Sequence, residues 1–101
     1  MALDMKLSKR GTECELRLIG RLDAATADSA LDVLSQLLDK YESMILNCAD
    51  LAYISSAGLR VLKSLRMEAM QKNVTLALKG VNKPVMEVLE MTGIAVLFKY
   101  I

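Results

Sequence analysis

The sequence contains no histidine among its 101 residues. This absence excludes Ser-His-Asp and Cys-His catalysis, and it excludes any metal site that depends on histidine ligands. A serine nucleophile would need a lysine or a carboxylate as its base, and the chain has neither a glycine-rich phosphate-binding loop nor a paired-carboxylate motif. We therefore expect no enzyme activity, no catalytic residue, no metal and no cofactor.

An excess of one charge and long apolar runs are also missing. The chain has 13 basic and 12 acidic residues, a net charge of +1, which provides no general field for nucleic acid or an anionic membrane. No stretch approaches the roughly 18 apolar residues of a membrane span, and residues 1–6 lack the charged-then-apolar pattern of a secretion signal. We expect a cytoplasmic protein with no direct nucleic-acid contact and no membrane insertion.

Cysteine is scarce, and its placement is uninformative about chemistry. Cys14 and Cys48 are isolated in strand-like apolar segments and lack the short spacing of a metal or redox pair. We expect both to be reduced, structural residues, because reducing compartments disfavour disulfides. The length and an apolar content of 53% fit one folded domain over residues 1–101.

Strands and helices alternate along the chain, which predicts an α/β fold. Cys14, Leu16 and Leu18 alternate with charged residues, as in a sheet that is wet on one face. The turn at residues 9–12 predicts a hairpin, so we expect a mixed sheet of about four to five strands with helices covering one face. The predicted strands are residues 3–9, 14–19, 44–48, 74–78 and 96–101, and the predicted helices are about 24–40, 57–72 and 83–92.

The most informative segment is residues 50–60, where two hydroxyls open a predicted helix. The first N–H groups of a helix have no intrahelical partner and carry partial positive charge. Ser55 or Ser56 is therefore interpretable as a helix cap, a nucleophile or a phosphorylation switch, although the missing histidine disfavours the nucleophile. Gly58 indicates tight backbone packing or access for a binding partner. The loop at 20–23, where Asp23 is expected to cap the first helix, is predicted to lie nearby.

The second predicted helix has an exposed methionine. Val61, Leu62, Leu65 and Ala69 form its inner face, whereas Met67 falls among the outer residues. Two interpretations stay open: an ordinary exposed side chain, or part of a strip on which a partner docks.

Three segments resemble the STAS domain of bacterial anti-sigma factor antagonists, also called anti-anti-sigma factors. They are residues 20–27 (GRLDAATA), 50–59 (DLAYISSAGL) and 88–94 (VLEMTGI), and the resemblance spans about residues 3–98. It implies a STAS-like fold. It also implies partner switching, in which the unphosphorylated antagonist binds an anti-sigma factor that is often a serine kinase and so frees the sigma factor. Phosphorylation by the kinase ends this binding, and a metal-dependent serine phosphatase restores it.

The resemblance also implies which residues act. In this family the phosphorylated serine lies two residues before the motif glycine, which here is Gly58, so Ser56 is the implied acceptor. The implied partner-binding surface contains Ser55, Ser56 and Gly58, with Asp23 at its edge. Arg60 and Met67 are further candidates for partner contacts.

Two features depart from the common family pattern. An acidic residue usually precedes the phosphorylated serine, and this chain has Ser55 there, which makes Ser55 a second possible acceptor. Many members continue into a C-terminal helix after the last strand, whereas this chain ends at Ile101. We expect apolar surface to be exposed there that could support dimerisation, so the protein should be a monomer or a weak homodimer.

Two alternative functions remain open. One is a non-switching STAS adaptor subunit of a lipid-transport ATPase or a stress-signalling complex, in which the serine would only cap its helix. A more distant one is a sensor of a small ligand.

Overall fold

The computed structural model describes residues 2–101, which form five strands, three α-helices and one short 3₁₀ helix. The strands are β1 (Leu3–Arg10), β2 (Glu13–Leu22), β3 (Ser43–Ile54), β4 (Thr75–Lys79) and β5 (Lys99–Tyr100). The helices are α1 (Ala27–Leu38), α2 (Ser56–Gln71) and α3 (Lys83–Met91), followed by the 3₁₀ helix Ile94–Leu97.

The five strands lie in one mixed sheet in the order β1-β2-β3-β4-β5. β1 and β2 are antiparallel, and all later neighbours are parallel. The hairpin between β1 and β2 turns through two residues, and Gly11 has a φ of 57° at the first of them, as a type II′ turn requires. The predicted α/β fold with a mixed sheet opened by a hairpin is confirmed.

The core lies between the helices and one face of the sheet. Its buried apolar side chains come from β2, β3 and β4 and from all three α-helices. The predicted inner face of α2 is buried as expected: Val61, Leu62, Leu65 and Ala69. The opposite face of the sheet carries polar pairs, such as the Asn47 Nδ2 that donates to the Glu15 carboxylate at 3.0 Å. Helices therefore cover one face, as predicted.

β3 is much longer than predicted. Its pairing with β2 slips twice: Arg17 and Ile19 pair with Asn47 and Asp50, and a second extra residue follows Leu51. Each slip is a bulge, which puts one additional residue into one strand of a pair. The alternation of buried and exposed side chains therefore ends after residue 48, although the strand continues to Ile54. The strand was predicted to end at residue 48, and that boundary was wrong for this reason.

Two other boundaries differ from the predictions. α1 begins at Ala27 rather than at residue 24, because residues 24–26 form a turn that is closed by hydrogen bonds from Thr26 N and Ala27 N to Asp23 O. The chain from residue 96 was predicted to be a strand, but part of it belongs to the 3₁₀ helix and only Lys99–Tyr100 joins the sheet.

Both cysteines are unpaired and buried in the core, each with 1% of its surface exposed. Burial raises the pKa of the Cys48 thiol to about 12, so the thiol is protonated at neutral pH. Between residues 2 and 101, no helix is long and apolar enough to cross a membrane. Over the same range, no three acidic, cysteine or histidine side chains are grouped so that they could hold a metal ion.

A polar link joins α1 to α2. Ser35 is half-buried, and its hydroxyl donates to the Glu68 carboxylate at 2.7 Å. Lys72 Nζ lies 2.7 Å from the other Glu68 oxygen and 2.6 Å from Asp39. The hydrogen bonds from Lys72 and Ser35 outweigh desolvation and hold the pKa of Glu68 below its ordinary 4.5.

This link predicts a pH dependence of stability. Because the pKa of Glu68 is lower in the folded chain, its contribution is complete above pH 4.5 and is lost as the pH falls through the folded value. We expect the free energy of unfolding, measured by urea titration between about pH 3 and 6, to fall less steeply in Glu68→Gln than in the wild type. Glu87→Gln, at an exposed glutamate, is the control and should retain the wild-type slope. Equal slopes for the wild type and Glu68→Gln would contradict the prediction.

Candidate functional site

The two serines occupy different positions at the start of α2. Ser55 is the N-cap, with extended backbone angles, and its hydroxyl accepts a hydrogen bond from Gly58 N at 3.3 Å. Its own N–H donates to Leu22 O at 3.0 Å, which ties the helix start to the end of β2. Ser56 is the first residue of the helix, and it is exposed. The structure thus assigns the cap to Ser55 and leaves the Ser56 hydroxyl at the surface.

Gly58 is buried where α2 crosses the end of β2. A Cβ atom at this position would lie 2.5 Å from Leu22 O and 2.8 Å from the Ile54 side chain. No side chain fits there unless the backbone of β2 moves. Of the two sequence interpretations, tight backbone packing is therefore the one that the geometry supports.

The loop after β2 lies beside the serine segment, as predicted. Arg21 pairs with Tyr53 and Leu22 pairs with Ile54 in the parallel ladder between β2 and β3. The Arg21 guanidinium stacks on the Tyr53 ring, 4.2 Å from its centroid, and Arg21 Nε lies 3.3 Å from Asp23 Oδ2. Stacking of this kind contributes about 0.5 to 1 kcal/mol at exposed sites. The contact between Arg21 and Tyr53 was not predicted from the sequence, because it depends on the two extra residues in β3.

Asp23 does not cap α1, so this expectation is corrected. The N-cap of α1 is Thr26, three residues later. Asp23 Oδ1 instead accepts from Ala25 N at 3.0 Å, closing an Asx-turn that precedes the helix. Desolvation raises the pKa of Asp23, but the hydrogen bonds from Arg21, Ala25 and Thr26 outweigh it and lower the pKa overall.

Asn82 anchors the bulged part of β3 to α3. Its Nδ2 donates to Leu51 O at 2.8 Å and to Cys48 O at 3.4 Å, and its Oδ1 accepts from Val85 N at 3.1 Å. One side chain therefore caps α3 and also donates to two carbonyls of β3 that lie beyond the stretch paired with β4. The role of Asn82 was not predicted from the sequence, although an asparagine just before a helix that opens with Lys83-Pro84 is a cap signal.

The family follows from a comparison with known domains. The family model of the STAS domain matches residues 4–100. This chain belongs to the STAS domain family.

Solved structures agree on the STAS fold. The unphosphorylated form of the anti-sigma factor antagonist SpoIIAA has a TM-score of 0.81 at 17% identity, and the match covers 97% of this chain and 88% of that one. The phosphorylated form of Bacillus SpoIIAA has a TM-score of 0.75 at 16% identity, covering 97% and 91%. An anti-sigma factor antagonist from Mycobacterium paratuberculosis has a TM-score of 0.85 at 15% identity, covering 97% and 84%. A search of the curated proteins finds no match.

Two shallow grooves flank the start of α2 in this STAS domain. One, of about 170 Å³, lies between α1 and α2 and contains Arg60. The other, of about 90 Å³, is apolar and lies between the end of β3 and α3. Its lining residues are Ala52, Tyr53, Ile54, Pro84, Val85 and Val88. Exposed Ser56, the Arg21–Tyr53 stack and these two grooves together make up the polar and apolar surface around the start of α2.

Met67 lies apart from this surface. It is exposed, as predicted, with 55% of its surface accessible. It follows Ser56 by eleven residues on the same helix, which at about 1.5 Å per residue separates the two by about 16 Å along the axis. Arg60 is one turn after Ser56 and lies near the start of α2. A partner contact at Met67 stays a prediction, and it would need an interface that extends along the helix.

Proposed function

We propose that this STAS domain is an anti-sigma factor antagonist that acts by partner switching. The unphosphorylated form binds an anti-sigma factor that is also a serine kinase, and phosphate on Ser56 ends that binding. The observation that carries the proposal is the division of roles between the two serines. Ser55 accepts from the helix backbone, while Ser56 is exposed at the first position of α2.

Electrostatics support Ser56 as the acceptor. A phosphate adds about 1.5 to 2 negative charges at neutral pH. At the first position of a helix this charge meets the positive end of the dipole, so the folded domain tolerates it. Arg60 lies four residues on and shares that side of the helix. The same charge within a close protein interface costs desolvation and repels acidic groups of the partner.

Similar structures support the same role for the domain, but they do not identify the residues that carry it. The similar structures are named as anti-sigma factor antagonists, and SpoIIAA matches in both its unphosphorylated and its phosphorylated form. A fold common to both forms suits a switch that changes surface charge rather than architecture. The proposal implies a bacterial, cytoplasmic, non-enzymatic protein whose partners are the kinase and a metal-dependent serine phosphatase.

The proposal predicts the site of modification. Incubation with ATP and an anti-sigma factor kinase from the same organism should place one phosphate on Ser56, located by mass spectrometry of peptides. Ser56→Ala should abolish the modification. Ser55→Ala should retain it, with a stability loss of about 1 kcal/mol from the missing cap.

Each other outcome has a defined meaning. Phosphate on Ser55 alone would contradict the assignment of the acceptor. An unmodified protein with an active kinase would contradict the switch and favour the adaptor role, which co-purification of an ATP-binding transport subunit would then support.

A further inference from the structure

The outer edge of β1 is long and unpaired. β1 hydrogen-bonds to β2 alone, and within residues 2–101 no backbone group from elsewhere reaches its free edge. Free edges usually carry proline, a bulge or a covering segment that prevents another strand from pairing. β1 has eight residues, contains no proline and pairs with β2 without a register shift. It is therefore a regular template for one more strand.

One row of β1 side chains is apolar. Leu3, Met5 and Leu7 face the helix side of the sheet, where Met5 pairs with Leu18 and Leu7 pairs with Leu16. Burial decreases along the row: Leu3 and Met5 are half-buried, and Leu7 is 43% exposed. The row continues the core to the edge of the sheet without being covered there.

The other row carries three charged side chains that form no ion pair among the described residues: Asp4, Lys6 and Arg10. Lys6 pairs across the strands with Arg17, a like charge, and Arg17 itself bonds Asp50 at 2.7 Å. Asp4 pairs with the apolar Ile19. Among the described residues neither Asp4 nor Lys6 forms an ion pair, and both are exposed. A carboxylate and an ammonium group thus stand two residues apart on a free edge.

We propose that two copies of this chain associate through antiparallel pairing of β1 with β1, with Met5 opposite the partner's Met5 on the two-fold axis. In this register Asp4 faces the partner's Lys6, and Lys6 faces the partner's Asp4. On the other face, Leu3 lies opposite the partner's Leu7, which covers the most exposed member of the apolar row. Asp4 and Lys6 each gain one counter-ion, and the two-fold symmetry gives the dimer two such pairs.

Other registers of β1 with β1 do not combine apolar pairs on one face with counter-ions for both Asp4 and Lys6 on the other. A slip of one residue in the pairing would place apolar side chains on the polar face. The two nearest registers that keep the faces set Asp4 against Asp4 or Lys6 against Lys6, and like charges directly opposite each other are destabilising. The register centred on Leu7 gives Asp4 an opposite charge in the partner's Arg10, but it sets Met5 against the partner's Lys9. Lys6 then faces the partner's Ser8 and stays without a counter-ion. The sequence of β1 therefore selects the Met5-centred dimer, and this inference does not depend on the proposed function.

Charge reversal tests the proposal. Sedimentation velocity over a concentration series should show a monomer–dimer equilibrium for the wild-type chain. Asp4→Lys and Lys6→Asp should each weaken it roughly tenfold, because every altered pair occurs twice. The double variant Asp4→Lys/Lys6→Asp should restore the dimer. An equal mixture of the two single variants should form a heterodimer, since each then meets opposite charges on its partner.

Control variants and cross-linking show whether the association depends on the proposed pairing of β1 with β1. Asp32→Lys and Lys40→Asp make the same charge changes at exposed sites away from β1 and should leave the equilibrium unchanged. Met5→Cys should form an interchain disulfide on oxidation, because opposed strand residues lie within disulfide reach. Leu7→Cys should not. Any of four results would overturn the proposal. The wild-type chain could stay monomeric at about millimolar concentration, or all charge variants could associate equally. Cross-linking could occur preferentially at Leu7→Cys, or β1 could pair only with another protein.

Discussion

Replacing Gly58 by alanine should lower the free energy of unfolding by about 1 to 3 kcal/mol, the usual cost of forcing an extra carbon into a packed core. The added Cβ would lie 2.5 Å from Leu22 O, 2.8 Å from Ile54 Cγ1 and 3.0 Å from Leu22 Cγ. The nearest obstacle is a backbone carbonyl, which cannot move aside as a flexible side chain can. Alanine favours a helix by up to about 1 kcal/mol relative to glycine, and this gain offsets part of the steric cost. The net loss in the free energy of unfolding therefore depends on how much the backbone of β2 resists displacement.

The effect should extend to the serine site. Leu22 O is also the acceptor for Ser55 N, so moving that carbonyl disturbs the cap of α2. Chemical denaturation of the wild type and Gly58→Ala measures the loss. Ser64→Ala, at an exposed position on the same helix, should change stability by no more than about 0.5 kcal/mol. If Gly58→Ala matches that control, the contact between α2 and β2 is looser than the geometry indicates.

Replacing Ser56 by aspartate should weaken binding to the anti-sigma kinase at least about tenfold, equivalent to about 1.4 kcal/mol. The charge would enter the centre of the proposed interface and would have to be desolvated there. In the free domain the same aspartate sits at the first position of α2, where a negative charge stabilises a helix by about 0.3 to 1 kcal/mol. Affinity and stability should therefore change in opposite directions.

A loss of affinity without a loss of stability distinguishes a switch from a general disturbance of the fold. Calorimetric titration gives the affinity, and thermal denaturation of the free variant shows whether the fold is intact. Ser29→Asp is the matched control, because it makes the same change at an exposed serine in the first turn of α1 and should leave the affinity unchanged. Equal affinity for wild type and Ser56→Asp would mean that Ser56 lies outside the interface.

Local patterns in the sequence predicted most of the elements. The spacing of Val61, Leu62, Leu65 and Ala69 identified the buried face of α2, because the period of a helix depends on the chain itself. The alternation along β2 did the same for a strand. Parallel pairing of β2 with β3 then brought the Asp23 loop and the serine segment together, as expected from the topology.

The errors arose where a neighbour sets the conformation. The two bulges of β3 exist only relative to β2, and they hid both the continuation of the strand and the contact between Arg21 and Tyr53. The hydrogen bond from Ser35 to Glu68 likewise depends on how α2 packs against α1, which the sequence of α1 alone does not contain. The choice between Ser55 and Ser56 as the cap depended on where α2 begins, and a shift of one residue in that boundary exchanges their roles.

The bulges of β3 also separate positions that must pack in the core from positions that need not. In a regular strand every second residue belongs to the core, so adjacent positions cannot both vary freely. Beyond the first bulge the buried positions Leu51 and Ile54 are three residues apart, and Ala52 and Tyr53 between them are both exposed. Two neighbouring positions beside Ser56 are thereby free of core packing. If the proposed partner surface includes these two positions, substitutions there can alter the binding surface without disturbing the core.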